Sequence, residues 1–279
     1  MPATLTELVD LLTLDVLDDR LFRGNQPKDS VLPRVFGGQV AAQALMAAQL
    51  TVPDERRVHS LHSYFILGGD PTIPILYDVE DVRDGGSFTT RRVAARQHGS
   101  IIFYMTASFQ RVEDGYSHQD PMPDVLSPEE CRTFPEIVTA INGDGAEWWT
   151  REWASADIRF VPGDDPTTQR VWFRLNGKIE DDRRLRNTML TYFSDLTLLG
   201  PTLHPHGLIV SSPTIQVASL DHSIWFHRSA PSDQWFLYDQ HSPSASAARG
   251  LSIARVFAET GDLVASIAQE GLIRPIKPS

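Results

Sequence analysis

Hydrophobic and polar positions along this chain fall into one succession that is written twice. A short extended run, Leu21–Gln26, precedes the helical stretch Gly37–Leu50, and extended runs follow near Val58–Ile66, Pro74–Asp84, Ser87–Gln97 and Ile101–Val112. In the second half Arg170–Asn176 precedes the helical stretch Arg183–Leu199, and extended runs follow near Thr214–Phe226, Trp235–His241, Arg249–Glu259 and Leu263–Ile273. The strands are read from β-branched and aromatic enrichment bounded by turn residues. Asp84-Gly85-Gly86, His98-Gly99 and Gly261-Asp262 are tight-turn signals, and turns this short join antiparallel strands. Identity between the halves is faint, so the repeat rests on the order and spacing of elements.

The first helical stretch, GGQVAAQALMAAQL, carries small apolar side chains around most of its circumference. A helix that is apolar nearly all round is a buried one, and small residues let strands approach it closely. One curved antiparallel sheet around a long helix is the hot-dog arrangement. Its doubling predicts an α+β fold of two antiparallel sheets, each wrapped around a long central helix. The predicted modules are residues 1–115 and 169–279, joined by a connector at 116–168. That connector is rich in Pro, Asp, Glu and Ser, with one short helix expected around Pro135–Asn142. Before the first module, Thr4 and Glu7 have the spacing of a capping box at the head of a short amphipathic helix.

Composition narrows the function classes. The 279 residues are 41% apolar and 22% charged, ordinary for a globular domain and ample for a core. No apolar run reaches the ~18 residues of a membrane span. The acidic N-terminus lacks the basic segment of a signal peptide, and Ile276–Ser279 is not a peroxisomal Ser-Lys-Leu address. Cys131 is the single cysteine, which fits a reducing cytoplasm. A net charge of −11 argues against nucleic acid as the main partner, because phosphate backbones need clustered cations. Arg91, Arg92 and Arg96, or Arg183, Arg184 and Arg186, are either local anion patches or solvated faces beside acids.

Several chemistries are missing their motifs. Gly85-Gly86-Ser87-Phe88-Thr89 lacks the last glycine of a nucleophile elbow, and no phosphate-binding glycine loop occurs. Cys131 has no base near it in sequence. His59 and His62 form an H-x-x-H pair, but strand alternation puts them on opposite faces and no third metal ligand has suitable spacing. His59 reads as a structural or substrate-lining residue, and no metal or cofactor is expected. Gly37 and Gly38 open the first helix, where glycines serve either close packing or the approach of an anion or polarised carbonyl to backbone N–H groups.

The segments RVFGGQVAAQAL (34–45), VHSLHSYFILGGDP (58–71), DGGSFTTRRVAARQHGSIIFYMTASFQ (84–110), SLDHSIWFHR (219–228), SPSASAARG (242–250) and VASIAQEGLIR (264–274) closely resemble the acyl-CoA thioesterase II family, with its bacterial and peroxisomal members. The resemblance implies a double hot-dog protein that hydrolyses fatty acyl-CoA and assembles into dimers or tetramers. It also implies a catalytic trio. YFSDLTLL supplies Asp195 on the second helix, VASLDHSIWFH supplies Ser219 where some members have Thr, and ASIAQEG supplies Gln269. Gly37, Gly38 and His59 are the candidate substrate contacts, and Asp221 and His222 are either supports of the site or a polar strand edge.

These residue types suit the reaction. Thioester hydrolysis needs a placed water, a base for its proton and donors for the oxyanion. A carboxylate can take the proton, and a hydroxyl and an amide can hold the water, without a covalent intermediate. Two other readings stay open: a non-catalytic acyl-CoA sensor, and a hot-dog enoyl-CoA hydratase, for which His204 lies nine residues beyond Asp195. The first helix has Gln39, Gln43 and Gln49 but no acid, so one site per chain is expected.

Overall fold

The architecture comes from a computed structural model that describes residues 2–28, 30, 32–143 and 147–276. Residues 277–279, which complete the terminal segment considered above, lie outside the described residues. Helix α1 (Leu5–Leu12) is followed by β1 (Leu14–Asp18), β2 (Leu21–Gly24), α2 (Gly37–Leu50), β3 (Arg56–Phe65), β4 (Ile75–Asp84), β5 (Phe88–Gln97) and β6 (Ser100–Arg111). The connector holds β7 (Arg132–Thr133), α3 (Phe134–Asn142), α4 (Glu147–Glu152) and β8 (Ala156–Val161). The second half comprises β9 (Thr168–Leu175), α5 (Arg183–Ser194), α6 (Gly200–Leu203), β10 (Ile215–Ser219), β11 (Asp221–Phe226), β12 (Phe236–Ser246), β13 (Arg249–Ala258) and β14 (Leu263–Pro275).

Among the described residues the strands form one antiparallel sheet of fourteen, not two separate ones. Its order is β1-β2-β4-β5-β6-β3-β11-β14-β13-β12-β9-β8-β7, with β10 also pairing with β14. The joint is the pairing of β3 with β11, in register from Asp221 opposite Tyr64 to Trp225 opposite Ser60. Each half would otherwise expose an unpaired edge there, and pairing two edges satisfies both rows of backbone groups. The connector adds β8 beside β9 and β7 beside β8, so it builds sheet as well as bridging the halves.

Helix α2 runs over the expected residues, and Gly38 through Gln49 are all buried. It packs on β3–β6 and against α5. Its buried amides are satisfied. Gln43 Nε2 donates to the carbonyls of Leu11 (2.7 Å) and Asn25 (2.9 Å), and the Tyr77 hydroxyl donates to Gln43 Oε1 (2.7 Å). An unpaired buried amide would cost roughly 1–3 kcal/mol, so these bonds fix the helix against α1 and β4. At the N-terminus Thr4 caps α1 through the Glu7 N–H, while the Glu7 carboxylate accepts from the Ala3 N–H.

Two elements are shorter than their sequence patterns. The apolar run to Leu199 continues the helical pattern, but α5 ends at Ser194 with Asp195 as its C-cap. The chain tightens there: the Leu196 N–H donates to the Phe193 carbonyl, and α6 then starts at Gly200-Pro201. The extended run Thr214–Phe226 breaks at Leu220, because the Asp221 carboxylate accepts the Glu270 N–H (2.7 Å) in place of a ladder carbonyl.

A third correction concerns the histidine pair. A bulge in β3 between Val58 and Ser60 cancels the alternation. His59 meets Ser108 and Phe88, and His62 meets Ser223 and Trp225, both on the outer face of the sheet. Of the arginines, Arg91 is buried and bound to Asp81, Asp84 and Thr51, whereas Arg92 pairs with Glu80 at the surface. Arg183 and Arg184 bind the carbonyls of Asp54 and Val52 and the Asp54 carboxylate, and Arg186 pairs with Asp181.

Because α2 is enclosed on all sides by small-residue contacts, Ala44→Leu is expected to overpack the core. The expected loss is about 1–3 kcal/mol, read from chemical denaturation. An unchanged midpoint would mean that slack exists around this helix.

Candidate active site

Helices α2 and α5 pack antiparallel, so the head of α2 meets the tail of α5. There the Gly38 N–H donates to the Asp195 carboxylate. A Cβ on Gly37 would lie 2.6 Å from Asp195 Oδ2 and 2.9 Å from the Phe65 ring. A Cβ on Gly38 would lie 2.4 Å from the Tyr192 carbonyl. The two glycines therefore have separate jobs: the first leaves room for the carboxylate, and the second lets the two helix backbones touch. The N-terminal end of a helix also favours a negative charge.

Strands β10 and β14 bring the other two side chains. Gln269 Nε2 donates to Asp195 Oδ1 (2.9 Å) and to Ser219 Oγ (2.7 Å), and the Ser219 hydroxyl lies 3.4 Å from the same Oδ1. Gln269 is fully buried, whereas Gly37, Asp195 and Ser219 are only half-buried. The cluster is thus closed from below and open on one side. Burial pushes the Asp195 carboxyl up to about 6, with the bonds from Gln269, Gly38 and Ser219 pulling in the opposite direction. The residue retains some exposure, yet its carboxyl group lies deep between α2 and β14, and this depth governs the shift.

Behind Gln269 lies a residue that the sequence left undecided. His222 on β11 is fully buried, with Nδ1 2.7 Å from Gln269 Oε1 and Nε2 2.7 Å from Ser194 Oγ. Burial holds the imidazole down to about 4, so it is neutral at pH 7. Asp221 points elsewhere, onto the Glu270 N–H. The sequence signal for His222 was its place in the S-L-D-H-S segment, but nothing there distinguished a buried bridge from a strand edge.

Three predicted site residues, Asp195, Ser219 and Gln269, are therefore brought together, with Gly37 and Gly38 against them. His59 is not. It sits on the outer face of the sheet, bonded to Ser108 (2.8 Å). His204 caps α6, and burial lowers its pKa. At the opposite end of the helix pair, where α2 ends and α5 begins, Gln49 bonds Thr188 and the Arg184 carbonyl (3.1 Å each), and Asn187 Nδ2 donates to Gln49 Oε1. No carboxylate takes part in that set of contacts. Among the described residues no group of three His, Cys, Asp or Glu could hold a metal ion.

Two family models match in tandem: "Acyl-CoA thioesterase N-terminal domain" over residues 26–110 and "Acyl-CoA thioesterase" over residues 146–272. The chain is 38% identical to "Acyl-CoA thioesterase 2" of Haemophilus influenzae, covering 98% of this chain and 99% of that protein. The chain belongs to the acyl-CoA thioesterase family. The solved "Acyl-CoA thioesterase II TesB2 from Mycobacterium marinum" is 42% identical and superposes on this thioesterase with a TM-score of 0.83, covering 98% of this chain and 99% of that one. A protein of hot-dog fold from Alicyclobacillus acidocaldarius, 20% identical, matches with a TM-score of 0.78 over 96% of this chain and 98% of that one, and supports the fold alone. No described helix of this thioesterase is long and apolar enough to cross a membrane.

The glycine geometry separates two outcomes. Gly37→Ala pushes two side chains, the Asp195 carboxylate and the Phe65 ring, and no backbone, so the protein should fold while thiol release from an acyl-CoA falls by about 10²-fold. Gly38→Ala meets backbone and should instead lower the unfolding midpoint. Equal turnover in Gly37→Ala and the parent would remove the Asp195 position from the chemistry.

Proposed function

We propose that this enzyme hydrolyses fatty acyl-CoA to free acid and coenzyme A by activating one water directly on Asp195. The observation that carries the proposal is the Gln269 amide donating at once to Asp195 and Ser219, beside the head of α2. Asp195 accepts the water proton as the oxygen attacks the thioester carbonyl. The Ser219 hydroxyl fixes where that water sits, and the Gln269 amide acts on it through the two groups it holds, Asp195 and Ser219. The Gly37 N–H, in the first turn of α2, is the donor we assign to the developing oxyanion. When the tetrahedral intermediate collapses, the C–S bond breaks and the proton on Asp195 passes to the sulfur. A thiol of pKa about 8.5 is an undemanding leaving group, so no covalent enzyme intermediate is needed. The substrate chain would lie along apolar surface beside the helices.

We read one such site per chain, since the equivalent end of the helix pair is occupied by Gln49, Asn187 and Thr188. We also read two modules, 1–115 and 169–279, with 116–168 between them and its strands added to the second. The single cysteine supports a cytoplasmic setting. Alternate exposed positions on the outer face of the sheet, including Tyr64, Tyr104, Trp225, Leu251 and Ile253, support assembly into a homo-oligomer. Sedimentation equilibrium should give two or four times the 31.2 kDa chain mass, and a monomer at micromolar concentration would refute the assembly.

Asp195 must be ionised to act as base, so kcat/KM should rise with pH through about 6 and level off above it. Asp195→Asn should lose at least about 10²-fold in kcat while acyl-CoA still binds. A raised carboxyl pKa in the folded protein has a definite sign. The native state holds the proton more tightly than the unfolded chain, so stability falls as pH rises from about 4 to about 6. The cost at pH 7 is up to about 3 kcal/mol. Asp195→Asn removes it, and should melt higher than the parent at pH 7 and no higher at pH 4. Near-normal turnover in that variant would end the proposed role for Asp195.

A further inference from the structure

We infer that His222, with Ser194 behind it, is a positioning residue that holds the Gln269 amide in the one orientation the reaction uses. The inference rests on the water-activating role given above to Asp195, Ser219 and Gln269.

A primary amide has two faces that differ only in which atom donates. Turned one way, Gln269 offers two N–H bonds to Asp195 Oδ1 and Ser219 Oγ, which is the arrangement present. Turned the other way, it would aim a carbonyl oxygen at both. A charged Asp195 repels that second orientation, but the barrier disappears once Asp195 has taken the water proton. A protonated carboxyl can donate to a carbonyl as well as accept from an N–H. In mid-reaction, then, the carboxylate no longer tells the amide which way to face.

His222 does. Gln269 Oε1 lies 2.7 Å from His222 Nδ1 and accepts a hydrogen bond only if the proton is on that nitrogen. The other ring nitrogen then carries a lone pair 2.7 Å from the Ser194 oxygen; the Ser194 hydroxyl also reaches the Thr191 carbonyl (2.8 Å), and in this tautomer its single proton turns to the ring. With that tautomer the chain of donors runs one way, from Ser194 O–H to His222, from His222 Nδ1–H to Gln269, and from Gln269 Nε2–H to Asp195. Ser194 closes the last turn of α5, where its carbonyl accepts from the Tyr238 hydroxyl (2.6 Å). The Ser63 hydroxyl donates to the His222 carbonyl (2.7 Å), fixing the strand that carries the ring. His222 and Gln269 are fully exclosed from solvent, so water cannot replace either partner. The groups facing Asp195 are Gly37 and Gly38 from α2, Ser219 from β10, Gln269 from β14 and Tyr238 from β12, with His222 reaching it through Gln269. None of them carries a charge at pH 7 that would obscure a change in the amide.

The test uses the full-length protein, saturating acyl-CoA and the pH dependence of thiol release. In His222→Asn the side-chain amide can place its N–H2 where Nδ1 now stands. His222→Gln and His222→Leu cannot. Expected is a fall of about 10²-fold in kcat for the Gln and Leu variants, with KM within about threefold and the acid limb of the profile displaced to higher pH. His222→Asn should recover at least about tenfold of that loss and return the limb to its original position. If the larger replacements do not fold, Ser194→Ala gives the same readout, since it frees the ring to take the other tautomer. Nitrogen-15 spectra of histidine-labelled parent protein, with His222→Asn to assign the signal, should show a neutral ring protonated on Nδ1. An Nε2–H ring, an unmoved acid limb in all variants, or equal losses in the Asn and Leu variants would overturn the inference. Parent protein without thiol release would instead sink the hydrolytic reading itself, so the two failures are distinguishable.

Discussion

Contact between the head of one helix and the tail of another is the constraint on which the site depends. Gly38 lets the α2 backbone reach Tyr192, and Gly37 leaves space for the Asp195 carboxylate immediately beyond it. A carboxylate is thereby placed against a backbone donor at the head of a helix. Burial makes that carboxylate more basic, while the bonds from Gln269, Gly38 and Ser219 pull the other way. In the mechanism we propose, that balance suits a general base, and β10 and β14 both bring a side chain to this one junction.

The single continuous sheet follows from the same requirement. The β3–β11 seam holds the two halves at a fixed offset, so α2 from the first and α5 from the second can meet end to end. A flexible joint between two independent sheets would leave the Gly37–Asp195 approach unset. Since a misplacement of about 1 Å can cost about 10²-fold in rate, the proposed mechanism makes this backbone pairing part of its geometry.

Much of this was legible in the residue pattern, and the failures have physical causes. Helix α2 was readable to its ends because small apolar residues run without interruption from Gly37 to Leu50. The trio Asp195, Ser219 and Gln269 came from family resemblance, since a lone Asp, Ser and Gln have no periodic signature. The end of α5 is hidden in the sequence because Leu196, Leu198 and Leu199 continue an apolar helical pattern after the hydrogen bonds have tightened. The bulge in β3 defeated simple alternation for His59 and His62, and bulges leave little trace in a single sequence. Strand β8 reads as connector in the sequence because its neighbours are polar. The burial of His222 leaves no mark in the sequence because it depends on elements far apart in the chain, α5 and β14, closing over it.

The seam and the helix junction together divide the labour of the site unequally. The latter half brings Asp195, Ser219 and Gln269, whereas the former brings main-chain amides and the absence of two side chains. Half of the apparatus is therefore invisible to any comparison that looks for reactive groups. In the proposed mechanism the first half needs no nucleophile or acid of its own, provided that its turn keeps two residues without a β-carbon.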